Sequence, residues 1–313
     1  MFNLIANENM KVFRLKSTWI MFGVLLAIIL VTGILNKYVL EGGGSENWRA
    51  AVEQENKQYE TVLNQEDAPH MLKKNYRTMH TINEYRLEHD IPPVSEDSLW
   101  GTMKSSSNMI SIITLFTIII AATSVAGEFT WGTIKLLLIR PVGRSKILLS
   151  KYLSALFFAL ALLVAHFLFS FLTGGLLFGF ENVGQPYLTL QDGNVVERSM
   201  PMYILSLYGY RSVDLLMMVT FAFMISTVFR SSALAIGLSI FLMFTGVQVV
   251  NLLSQYDWVK YILFANTDLM QYVNGVPLVE GMTMTFSIFV LAVYFVLFNA
   301  ISWLIFTKRD VAA

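Results

Sequence analysis

Five stretches of this chain run for 20 residues or more without a charge. They are Ser17–Asn36, Ser105–Gly127, Tyr152–Phe180, Ser231–Tyr256 and Gly281–Thr307. Roughly 20 mostly apolar residues in a helix cross the hydrocarbon core of a bilayer. Each run is rich in Leu, Ile, Phe, Val and Met, so each meets that requirement. A sixth run, Leu215–Phe229, is shorter. Extended back to about Tyr208, it makes a full span with Arg211 and Asp214 near its end. Charged residues are 14% of the chain, against about 25% in a soluble domain. The expected fold class is therefore all-α integral membrane, with six transmembrane helices. The first run is too long for the roughly 7–15-residue core of a cleaved signal peptide, and no small-residue cleavage site follows closely. It is expected to remain as an anchor.

The formal net charge is zero, with 22 basic and 22 acidic residues. That balance argues against a nucleic-acid partner, which calls for a basic excess. It is also a cancellation. With six spans both termini lie on one side, together with 128–151 and Arg230, and that side sums to +8. The opposite side sums to −8. Lys and Arg in short loops stay in the cytoplasm. The expected location is thus the cell membrane, multi-pass, with both termini cytoplasmic. Trp19, Tyr38, Trp100, Trp131, Trp258 and Trp303 fall near expected span ends, where aromatic belts form.

The chain divides accordingly. Residues 1–16 alternate apolar and polar positions and are expected to form a cytoplasmic interfacial helix. Residues 17–40 form transmembrane helix 1. Residues 41–104 form an extracellular helical insert, opened by Gly42–Gly44, turned at Asp67-Ala68-Pro69 and closed by Pro92-Pro93. This insert is net −5 and too polar for much core of its own, so a helical hairpin resting on the spans or on a partner is expected. Residues 105–313 carry helices 2–6, with a cytoplasmic segment at 127–147. Residues 181–203 and 257–280 read as outer loops. No proline falls inside an expected span, so prolines give no sign of broken helices. Gly175–Gly179 is the sole GxxxG, a spacing that permits close helix packing.

Catalytic patterns are absent from the sequence. There is no Walker A loop, HExxH or GxSxG, and no cysteine. The chain is not expected to be an enzyme. His70, His80 and His89 lie in the polar insert at spacings unlike a helical metal site, so no metal site is expected. His166 lies inside the third span, where ionisable groups are costly and often functional. Its commoner role is a neutral histidine bonded to a neighbouring helix. Arg211 and Asp214 share a helix face at i, i+3 and either pair with each other or line a path. His166, Arg211 and Asp214 are therefore the candidate translocation-path residues. The 127–147 segment mixes apolar residues with Glu128, Lys135, Arg140, Arg144 and Lys146, and offers Glu128 charge partners in Lys135 and Arg140.

The run Glu128…Gly132-Thr133…Pro141…Arg144…Lys151 resembles the segment between the second and third membrane helices in permease subunits of the type-2 ABC transporter family. The run Asn7-Glu8…Lys11…Arg14…Lys16…Trp19 resembles the start of such permeases. The resemblance implies the membrane-spanning permease of an ATP-driven exporter of peptides, antibiotics, lipids or ions. It implies a separate ABC ATP-binding subunit, a second permease copy or a related permease, and membrane lipid as partners. No cofactor is expected on this chain; ATP and Mg belong to the partner. The resemblance assigns Glu128, Trp131, Gly132, Thr133, Lys135, Pro141 and Arg144 to ATPase coupling. The alternatives are a secondary carrier, and a scaffold or sensor that binds a partner through its insert.

Overall fold

The computed structural model describes residues 1–38, 47–65, 67, 70–138, 141–180, 183–191, 193–273, 277–279 and 281–308. Helix α1 (Phe2–Arg14) is amphipathic and stops at Leu15, whose backbone is extended. Helix α2 (Lys16–Tyr38) follows at once. Two side chains from its first turn fasten the elbow. Thr18 Oγ1 donates to Val12 O at 2.6 Å, and Trp19 Nε1 donates to Phe13 O at 2.9 Å. They satisfy carbonyls that the end of α1 leaves without intrahelical partners.

Helices α3 (Trp48–Leu63) and α4 (His70–His89) form the hairpin expected of the insert. Tyr59 and Tyr76 stack across it at 5.1 Å, and Asn83 donates to Glu55 at 3.2 Å. Gly42–Gly44 and Ala68-Pro69 lie outside the described residues. The next span starts earlier than the charge-free run. Helix α5 (Leu99–Ser106) leads through a 3-10 turn, Ser107–Met109, into α6 (Ile110–Thr130). Ser98 caps α5 by accepting from Gly101 N at 3.0 Å. Lys104 is thereby inside a helix that the sequence assigned to the insert. Helix α7 (Ile134–Leu138) is short, and α8 (Arg144–Phe178) is the longest helix described.

The 181–203 stretch is not a plain loop. Strands β1 (Pro186–Gln191) and β2 (Asn194–Ser199) pair antiparallel, with Leu188 opposite Glu197, so the fold is not purely helical. Helix α9 (Met200–Phe229) begins about two turns before the expected start. Pro201 lies in its first turn, where the missing N–H has no intrahelical partner to lose. One proline therefore does sit inside a span helix. Arg230, at φ 55°, turns the chain into α10 (Ser232–Leu253). Short helices α11 (Leu263–Asn266) and α12 (Met270–Val273) precede α13 (Met284–Lys308). Buried amides knit this connection: Gln271 donates to Ala265 O and accepts from Leu278 N, and Asn266 accepts from Ser287.

Among the described residues, six helices are long and apolar enough to cross a membrane. They are α2, α5–α6 together, α8, α9, α10 and α13. Helices α6 and α9 form the buried centre. Ser226 Oγ on α9 accepts from Ala126 N at 2.9 Å and donates to Ala122 O at 2.6 Å, so it sits within the backbone ladder of α6. Ala121, Ala122, Ala126 and Gly127 on α6 are all buried and leave room for that approach. The outward stripe of α8, from Phe157 through Leu160, Val164, Leu168 and Leu172 to Leu176, is exposed at helical spacing. A continuous apolar stripe of that length suits lipid rather than water.

Close helix approach depends on glycines other than the GxxxG pair. Gly179 has φ 75° and ends α8, and Gly175 makes space for Phe180 of its own chain segment. Gly101 is the tightest position. A Cβ there would lie 2.1 Å from Ser95 O, a backbone atom. Gly101→Ala is expected to destabilise the chain by about 1–3 kcal/mol or more, because the clash cannot be relieved by a rotamer change. Gly23→Ala is the control, with nothing within 4 Å of the added carbon. It should be neutral or stabilising by up to about 1 kcal/mol from helix propensity. Thermal unfolding of both variants in detergent checks the pair, and a Gly101→Ala midpoint at or above that of Gly23→Ala contradicts it.

Candidate functional site

The two stretches that resembled the permease family, 1–20 and 127–151, meet in space. Glu8 and Lys11 sit on α1, Glu128 near the end of α6, and Lys151 two turns into α8. Lys151 Nζ donates to Glu128 Oε1 at 2.7 Å and to Glu8 Oε2 at 2.9 Å. Lys11 Nζ donates to Glu8 Oε1 at 2.8 Å and to Glu128 Oε1 at 3.2 Å. Thr133 Oγ1 donates to the other Glu128 oxygen. Two cations and two anions thus form a closed, neutral quartet. Beside it, Ser154 donates to Asn9 Oδ1 at 2.7 Å. Together these contacts tie α1 to α6 and α8.

Burial sets the energetics. Lys151 is only 2% exposed. An ammonium this far from water is tolerated when it is fully paired and hydrogen-bonded. Burial acts to lower the Lys11 pKa, but the hydrogen bonds and charges of Glu8 and Glu128 outweigh it and raise it above the ordinary 10.5. A raised lysine pKa contributes stability that is complete below the unfolded value and lost only as pH rises through the folded value. The Lys11 contacts are therefore constant across neutral pH. A cavity of about 230 Å³ opens beside the quartet, lined by Glu8, Lys11, Glu128, Trp131, Lys151 and Ser154 among others.

The residues that the resemblance assigns to coupling lie as follows. Gly132 has φ 70°, a left-handed conformation that costs a residue with a Cβ about 1–2 kcal/mol, and it turns α6 into α7. Thr133 holds Glu128. Trp131 is 70% exposed and Leu136 69% exposed, while Ile134 and Leu137 are buried. Helix α7 is thus anchored through Ile134 and Leu137, while Leu136 on it and Trp131 before it stay exposed. Pro141 is exposed in the bend before α8. Arg144 Nη1 donates to Thr307 O at 3.1 Å, which joins the start of α8 to the end of α13. Arg230 lies over the Phe129 ring at 4.5 Å and ties the α9–α10 turn to α6. The partners expected for Glu128 are not those found. Arg140 and the Lys135 side chain lie outside the described residues, and Glu128 is held by Lys151, Lys11 and Thr133. Nothing in the sequence spacing singles out Lys11 and Lys151 as its partners, although both belong to the motif stretches.

The candidate path residues separate. His166 is fully buried, and its Nε2 donates to Ser106 O of α5 at 3.0 Å. Its Nδ1 is buried without a partner. Nearby, Ser106 Oγ and the Tyr208 hydroxyl bond at 2.9 Å. Arg211 and Asp214 form no ion pair. Arg211 Nη2 donates to Asn108 Oδ1 at 2.7 Å. Arg211 is thus drawn to a neighbouring element, so the helix face it shares with Asp214 does not decide its partner. The belt reading of Trp100 also changes: it is 6% exposed and donates to Val183 O at 3.1 Å.

Comparison with known proteins places this arrangement among relatives. "Uncharacterized protein YhcI" of Bacillus subtilis (strain 168) is 42% identical over 315 residues, covering all of both chains. "Uncharacterized membrane protein YdbK" of the same organism is 32% identical over 220 residues, covering 69% of this chain and 85% of that one. With its six apolar helices and this relative, the chain is a multi-pass membrane protein. The model of the family described as "Protein of unknown function (DUF2705)" matches residues 70–312. The chain belongs to the DUF2705 family.

Proposed function

We propose that this chain is the membrane-spanning permease subunit of an ATP-driven ABC exporter. In this reading both termini face the cytoplasm, α1 lies in the inner membrane interface, and the α3–α4 hairpin is extracellular. Helix α7 docks on a separate ABC ATP-binding subunit, which binds ATP and Mg and does the hydrolysis. A second permease copy or a related permease completes the assembly. One observation carries the reading: Thr133, between the exposed Trp131 and Leu136, donates to Glu128, whose quartet reaches α1, α6 and α8. A push on α7 would therefore be transmitted to three elements of the membrane domain. Such coupling requires contacts that differ between the two states. The basic side of the molecule, +8 by sequence, is the side on which α7 lies.

The test is co-expression with candidate ATP-binding subunits, followed by purification through a tag on this chain. Retention of one of them, with stimulated ATPase activity, is expected. Glu128→Ala combined with Lys135→Ala should abolish the stimulation. A chain that retains no ATP-binding subunit loses the exporter reading, and unchanged stimulation in the double variant removes the coupling role.

A further inference from the structure

At the end of the bundle opposite the termini lies a second, larger cavity of about 630 Å³. It is walled by α4, the 94–108 stretch, β1, α9 and the segment of Asp268, Met270, Gln271 and Leu278. That volume lies within the ~300–1,000 Å³ range of small-molecule pockets. Four charged residues line it: Lys104, Arg211, Glu96 and Asp268. None of the four is in an ion pair among the described residues. Opposite charges that share a cavity without meeting are complementary to a ligand that carries both signs.

Arg211 shows the vacancy at the level of atoms. Its Nη2 is used by Asn108, while its Nε is buried with no hydrogen-bond partner. A buried polar group without a partner is rare in a folded protein. A carboxylate accepts charge-assisted hydrogen bonds from guanidinium N–H donors, and Nε–H is a donor that no described residue uses. Asp268 spends Oδ1 on the Met270 amide at 2.9 Å, and its second oxygen has no hydrogen bond among the described residues. Tyr187 and Tyr203 stack at 3.5 Å and belong to this cavity and to a neighbouring one of about 310 Å³. That pair gives the site an aromatic wall for an apolar side chain.

We propose that this cavity binds a short zwitterionic peptide. Arg211 and Lys104 take the carboxylate, and Asp268 and Glu96 face the ammonium group. The tyrosine wall covers an apolar side chain. The proposal concerns binding alone and stands whether or not an ATPase drives the chain.

The experiment is calorimetric titration of the full chain in detergent micelles with the tetrapeptide Ala-Leu-Ala-Ala. The free peptide should bind, and its acetylated and amidated form should bind at least tenfold more weakly. Lys104→Gln and Arg211→Gln should each weaken the free peptide at least tenfold. Lys104 is exposed, so its variant tests the site even where Arg211→Gln fails to fold. A parallel arm replaces the peptide with micelle-borne phosphatidylcholine, which also carries both charges. Equal binding of free and capped peptide overturns the proposal. So does unchanged affinity in Lys104→Gln, absence of peptide binding at millimolar concentration, or Arg211-dependent binding of the lipid in place of the peptide.

Discussion

Replacing Lys151 by methionine is expected to destabilise the folded chain by about 3–5 kcal/mol, the cost of breaking a buried ion pair from one side. Methionine replaces the unbranched stem but not the ammonium group, and leaves Glu8 and Glu128 without their buried cation. Lys11 remains, yet its side chain is 54% exposed, so water screens much of what it can supply. The matched variant Lys11→Met should cost no more than about 1 kcal/mol, in line with exposed pairs. Unfolding in detergent, followed by intrinsic fluorescence, measures both. Adding Glu128→Gln to Lys151→Met should recover part of the loss, because the two residues are in direct contact and their effects are not additive. If Lys151→Met costs no more than Lys11→Met, the quartet is not what holds α1 to the bundle.

Trp131→Ala carries the second large effect, on binding rather than on folding. Its ring is 70% exposed, so truncation removes little from the fold. At an interface a tryptophan anchor is worth roughly 2–4 kcal/mol, which corresponds to about 30- to 1,000-fold in affinity. Affinity of the ATP-binding subunit for the chain is expected to fall by that order in Trp131→Ala. Trp131→Phe should retain most of it, and Leu136→Ala should show a smaller loss. Surface-immobilised chain titrated with the ATP-binding subunit reads all three. Equal affinity in Trp131→Ala and the unaltered chain would place the docking surface elsewhere. The measurement separates docking from stability, because Trp131 is outside the quartet while Glu128, three residues away, is inside it.

The positions where sequence and structure part are specific. The 186–199 stretch is a hairpin and not a loop, and its local signal is the Asp192-Gly193 pair between the two strands. Gly193 has φ 83°, as such turns require. Helix α9 starts about two turns before Tyr208, because Pro201 in its first turn sacrifices no hydrogen bond. Glu128 is a different matter. Lys135 and Arg140 are its near neighbours in sequence, and nothing local prefers Lys151 or Lys11, the latter 117 residues away. Arg211 and Asp214 likewise share a face, but Arg211 is bonded to Asn108 and not to Asp214.

By itself the sequence determined the number of spans, the helical hairpin of the insert and the amphipathic first helix. Each of these depends on a run of residues within one segment: its length, its charge-free composition or its periodicity. The tertiary structure alone decided which charges neutralise one another. A buried charge is governed by what lies within a few ångströms, and at Lys151 those neighbours come from α1 and α6. It also decided which charges remain unpaired around the 630 Å³ cavity, because the five elements of its wall are brought together only by packing.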